Sequence, residues 1–94
     1  MKMHAKKVDV IEVEGEGLIG LLGQRVLIMC TNYFYEGILA GVNDTCCMLS
    51  DAGIVYSTGD WDKPGWGDRQ AVLGDHYVML QAIESFCACG GKGS

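Results

Sequence analysis

The sequence contains one proline, two histidines and no apolar run longer than the five residues Val26–Cys30. Runs that short exclude a membrane-spanning helix, which needs about twenty consecutive apolar residues. His4 and His76 complete no ligand set with the cysteines, because zinc sites pair ligands at matched distances and no second pair follows here. A cationic excess is also missing. Seven Lys and Arg stand against twelve Asp and Glu, a net charge of −5, which argues against a protein that coats phosphate generally. Met1–Lys7 is basic, but no apolar signal-peptide core follows it, so the chain reads as cytoplasmic.

The 94 residues are 49% hydrophobic and include fourteen glycines. That length makes a single domain, and the hydrophobic content is enough for it to fold. Abundant glycine with almost no proline suits a small β protein full of tight turns and bends. Five cysteines are an odd number for a disulfide framework, and most sit in or beside apolar runs. They read as reduced, buried thiols acting as small hydrophobes.

Three lysines (Lys2, Lys6, Lys7) cluster in a basic arm, residues 1–7, and an acidic block of Asp9, Glu12, Glu14 and Glu16 follows. Val8–Glu14 alternates as a strand would. Gly17–Leu22 places Leu18, Leu21 and Leu22 at helical spacing, predicting a one- or two-turn amphipathic helix stopped by Gly23. Val26–Cys30 then reads as a strand, Tyr33–Asn43 as a long second one and Thr45–Ser50 as a third. Gly37 and Gly41 inside the second strand mark bends or bulges. Ile54–Ser57 either extends the third strand or pairs back on it. Residues 58–69, with three glycines, the proline and both tryptophans, form a surface loop insert. Gln70–Leu73 is a short strand, His76–Leu80 and Ile83–Cys87 are the last two main strands, and residues 88–94 read as a frayed tail.

Val26–Cys30 and Tyr77–Leu80 are apolar on both faces, whereas a small antiparallel sheet normally leaves one face polar. Buried apolar surface stabilises by about 25 cal/mol per Å². A neighbouring copy is therefore an expected cover, and open sheet edges also seek partners.

The stretch Gly37–Leu49, with Gly37, Leu39 and Val42 followed by a tight turn and the apolar strand of Cys46, Met48 and Leu49, resembles the first motif of the Sm and Sm-like proteins. Val78–Phe86 looks like their second motif, a strand, a tight turn and a strand. The resemblance implies an all-β fold: a small, strongly bent, five-stranded antiparallel SH3-like barrel with a short N-terminal helix. It also implies a homo-oligomeric ring of roughly five to seven copies that binds single-stranded RNA, or DNA, without enzymatic activity, cofactor or membrane. The family's base pocket uses an Asp, a stacking side chain and an Asn from one turn and an Arg from the other. Those positions here are Asn43, Thr45, Cys47 and Gln81. Thr45 supplies no aromatic platform, and a thiol replaces a bidentate amide poorly. A structural ring that binds a protein and no nucleic acid is the alternative these departures favour.

Further candidates lie in the loop insert. Trp61 and Trp66, with Lys63 and Arg69, suit a stacking and phosphate-contacting platform. They suit equally a loop pinned to the barrel or covering a subunit seam. Tyr33, Phe34 and Tyr35 suit core and interface packing, or stacking if exposed. Gly15–Gly20 matches GxGxxG only formally, since acids precede it and no base follows. No base–nucleophile spacing activates a particular cysteine.

Overall fold

A computed structural model describes residues 17–93. The basic arm, the alternating Val8–Glu14 segment and the start of the Gly15–Gly20 pattern lie outside those residues. The chain forms one antiparallel sheet of six strands: β1 (Arg25–Cys30), β2 (Phe34–Val42), β3 (Cys46–Ser57), β4 (Asp68–Ala71), β5 (His76–Met79) and β6 (Ile83–Ala88). Along the sheet the order is β4-β3-β2-β1-β6, and β5 also lies against β3. Strand β3 is long enough to serve two partners. Cys46–Leu49 pairs with β5, and Gly53–Ser57 pairs with β4. An all-β fold is therefore observed. Ile54–Ser57 extends the third strand, and the short strand begins at Asp68, which removes Asp68 and Arg69 from the expected loop.

The expected helix is a single 3-10 turn, Ile19–Leu21. Glycines at 17, 20 and 23 disfavour a longer helix. Beyond the turn the backbone is already tied to β2, through Gly23 N–H to the Leu39 carbonyl (2.8 Å) and Leu39 N–H to the Gln24 carbonyl (2.9 Å). Leu18 and Leu21 pack on the core, while Leu22 is exposed.

Pairing of β2 with β3 shifts register twice, between Glu36 and Ile38 and between Leu39 and Gly41. The first shift lies across Gly37 from Asp51, the one non-glycine residue with positive φ (50°) among the described residues. A side chain at Gly37 would put its Cβ 2.9 Å from the Ser50 carbonyl and 3.0 Å from the Ala52 Cα, whereas nothing lies within 4 Å of a Cβ at Gly41. Both glycines sit at irregularities as their positions predict, but only Gly37 is there because the facing backbone leaves no room.

Two cores result. On one side of the sheet Val26, Ile28, Cys30, Leu39, Cys47, Leu49, Ala52 and Val78 pack together. On the other, Leu27, Val55 and Cys89 are buried with Met29, Phe34, Trp66 and Cys87 against them. The second core corrects two expectations. Residues 88–93 are not frayed: Cys89 N–H donates to the Arg25 carbonyl (2.9 Å), and a 3-10 turn follows at Gly90–Gly93. The second face of β1 is consequently covered by the chain's own C-terminal segment and Trp66, so it needs no neighbouring copy.

Among the described residues one carboxylate is buried. Glu36, 1% exposed, accepts from Arg69 Nε (2.7 Å) and Arg25 Nη1 (3.1 Å). Arg25 also pairs with Asp51 (2.5 Å), and Arg69 Nη2 donates to the Asp51 carbonyl (2.8 Å). The cluster stitches β1, β2, β3 and β4 together at the Gly37 bulge. Its hydrogen bond to Arg25 holds the Asp51 carboxyl below its ordinary pKa, and the same bond raises that of Arg25.

Two predictions follow from this geometry. Gly37→Ala lowers stability by about 1–3 kcal/mol, as overpacking does, while Gly41→Ala changes it little; denaturant midpoints of the two variants provide the check. Because the folded pKa of Asp51 is depressed, its contribution is present above the ordinary carboxylate pKa and is lost as pH falls through the folded value. Asp51→Asn, which tolerates the left-handed backbone, is then less stable than the parent at about pH 6, with the gap narrowing as pH falls through the folded value. A gap independent of pH contradicts this.

Candidate nucleic-acid interface

The β2–β3 turn is built by Asn43. Its Oδ1 accepts from the backbone N–H groups of Thr45 (2.8 Å) and Cys46 (2.9 Å) and from the Thr45 hydroxyl (3.1 Å). This is the local side-chain turn for which asparagine is suited. The Thr45 carbonyl in turn accepts from Leu80 N–H (2.9 Å). That bond joins the turn to the 3-10 turn Leu80–Ala82 between β5 and β6. Asn43, Thr45 and Gln81 therefore share one end of the sheet, all three exposed. Asn43 has spent its oxygen on the turn, which leaves its amide N–H groups as donors. Gln81 offers a complete amide.

Cys47 does not join them. It is 1% exposed, paired opposite Val78 inside the first core. Two residues beyond Thr45 along β3, it lies where the chain has already entered the core. Burial, then neighbouring Cys46, pushes its thiol pKa up. Burial does the same to Cys89, to about 12, with Glu36 the next cause.

The loop residues form a separate group on the second core. Lys92, 8% exposed, donates through Nζ to the carbonyls of Asp60 and Lys63 (3.0 Å to the latter). The same ammonium lies 5.3 Å from the Trp66 ring centroid and 5.9 Å from that of Trp61. Gly65 N–H donates back to the Lys92 carbonyl (2.7 Å). Trp66 is half-buried, and Trp61 and Lys63 are exposed. Arg69 lies in β4 with its guanidinium engaged by Glu36, so it is not part of a phosphate-contacting platform. Of the two readings of the tryptophan loop, this geometry fits the pinned loop.

Sequence reasoning missed a groove of about 470 Å³ beside Gln81. Tyr33, Tyr35, His76 and Tyr77 line it, together with Met79 and Glu84. Tyr35 lies against His76 with ring centroids 4.8 Å apart, and Tyr33 bridges Tyr35 and Tyr56 at 6.3 Å to each. The available signal was the period-two spacing of Tyr33 and Tyr35, which sends both to one face.

The sheet also has two edges. One is formed by β4 and β5, which each pair only with β3, and the other by β6, which pairs only with β1, among the described residues. Tyr77 and Met79 on β5 are 62% and 55% exposed, and Phe86 on β6 is also exposed. Charge is lopsided: residues 17–93 hold eight carboxylates and four cations, and Arg25, Arg69 and Lys92 are bound internally. Among the described residues no group of His, Cys, Asp and Glu is placed to hold a metal ion, and no helix is long and apolar enough to cross a membrane. No family model, curated protein or solved structure matches the chain.

Both tryptophans report on the Lys92 clamp. Lys92→Met keeps the aliphatic stem but loses the ammonium and its carbonyl bonds. It is expected to cost about 1–2 kcal/mol, shift tryptophan emission to the red and raise quenching by acrylamide. Unchanged emission would show that the ammonium does not hold the loop.

Proposed function

We propose that this chain is a non-enzymatic, Sm-like barrel subunit that assembles head to tail into a homo-oligomeric ring and binds single-stranded nucleic acid at the Asn43–Thr45 and Leu80–Ala82 turns. The observation that carries this reading is the bond from Leu80 N–H to the Thr45 carbonyl. It brings Asn43, Thr45 and Gln81 to one place, where the motif resemblance puts a base pocket. Strand order supports the subunit reading: β6-β1-β2-β3, closed by the short β4 and β5, leaves one unpaired edge at each end. Joining β5 of one copy to β6 of the next repeats a single contact until the ring closes. The exposed Tyr77, Met79 and Phe86 supply apolar surface for it.

At such a site Gln81 reads a base edge through its amide, and Asn43 donates to a base carbonyl. Among the described residues the site lacks a stacking platform, so affinity is modest, and it lacks cations, so these residues add little dependence on salt. Each phosphate neutralised on a single strand contributes a slope of about −0.7 in log K against log salt, and Lys63 is the one cation outside an internal contact among the described residues. Fluorescence anisotropy with U-rich, A-rich and single-stranded DNA oligomers tests this. Saturable binding with a shallow salt slope, weakened about fivefold to tenfold or more by Gln81→Ala, is the expected result.

The charge census favours a second reading, a structural ring that binds a protein partner and no nucleic acid. Absence of saturable binding to every oligomer at low salt would establish that reading over the first.

A further inference from the structure

The groove beside Gln81 has a chemistry of its own. Its lining includes Tyr33, Tyr35, Tyr77 and Glu84, and no lysine or arginine lines it. Tyr33 is 47% exposed and lies outside the β5 and β6 edges, so its ring remains available to a ligand whether or not copies join there. Glu84, exposed on β6, lines the groove together with Cys30, whose thiol pKa is raised by burial and then by the charge of Glu84. Asn32 and Thr31 add polar side chains at the rim. Aromatic faces carry negative electrostatic potential and attract cations. A carboxylate beside them completes a site complementary to positive charge and opposed to phosphate.

We propose that this groove binds an arginine side chain presented by a protein partner, with the guanidinium lying on a tyrosine face and directed at Glu84. Guanidinium is favoured over ammonium because it is planar, stacks on aromatic rings and forks to a carboxylate, and because its weaker hydration lowers the cost of entering a half-closed groove. The site goes beyond the nucleic-acid reading and does not require it. The turns contact a base, while the groove, opening next to Gln81, takes a cationic peptide segment. A chain with net charge −5 attracts such a segment before any specific contact forms.

Anisotropy of a labelled peptide of alternating arginine and glycine with the full chain, at about 150 mM salt to screen long-range attraction, tests the proposal. Saturable binding is expected, weakened about tenfold by Glu84→Gln and similarly by Tyr33→Leu, which removes the π face but keeps apolar bulk. Asp62→Asn removes the same charge from the loop, outside the groove, and is expected to leave binding unchanged. Thermal midpoints of all three variants confirm that each is folded. Equal affinity for the parent and Glu84→Gln, or equal losses in Glu84→Gln and Asp62→Asn, would reduce the effect to net charge and overturn the site. A lysine–glycine peptide binding as tightly would overturn the guanidinium assignment. Oligonucleotide binding that depends on Tyr33 but not on Asn43, which lies outside the groove, would assign the groove to bases instead.

Discussion

Strand β1 carries apolar side chains on both faces, and each face requires its own cover. Val26, Ile28 and Cys30 point into the core enclosed by β2, β3 and β5, while Leu27 points the other way. Leaving a leucine-sized face in water forfeits about 2 kcal/mol per side chain. The chain solves this internally. Strand β6 runs along β1, Cys89 continues the pairing, and Trp66 folds over from the loop. Lys92 then locks the loop by binding its carbonyls and lying beneath its rings, so a segment rich in glycine becomes part of the second core.

The same economy governs charge. A buried carboxylate must be paired and hydrogen-bonded, and Glu36 takes two arginines to satisfy it. These draw in Asp51 across the bulge that Gly37 permits, which fixes the bend of β2 against β3. The structural role has a further consequence: three of the four cations among the described residues, Arg25, Arg69 and Lys92, are held inside the fold. Among the described residues Lys63 is the one cation outside an internal contact, so a nucleic-acid contact made by these residues has to rest on amides and Lys63.

Strand positions were legible in the sequence because alternation, turn residues and glycine placement are local signals. The Asn43 turn is a local signal, while its proximity to Gln81 was implied only by the resemblance to the Sm-like motifs. What escaped was long-range. Arg69 reads as a loop cation until its partner Glu36, thirty-three residues away, is known. Cys47 reads as a turn residue until β5 covers it. Two faces of apolar residues on β1 pointed to a second copy, because no sequence signal shows that residues 88–93 turn back to cover one of them. The 3-10 turn at Ile19–Leu21 replaced a helix for a local reason, the glycines flanking it, which helical spacing of leucines outweighed in the reading.

In the proposed ring, copies join through β5 and β6, since β1 has both faces covered. Those edges expose backbone donors and acceptors next to Tyr77, Met79 and Phe86, a combination that invites strand addition. Multi-angle light scattering of the native protein at micromolar concentration tests it most directly. The expected result is one discrete species of about five to seven times the 10.2 kDa chain mass. A well-behaved species of 10.2 kDa at that concentration would contradict it.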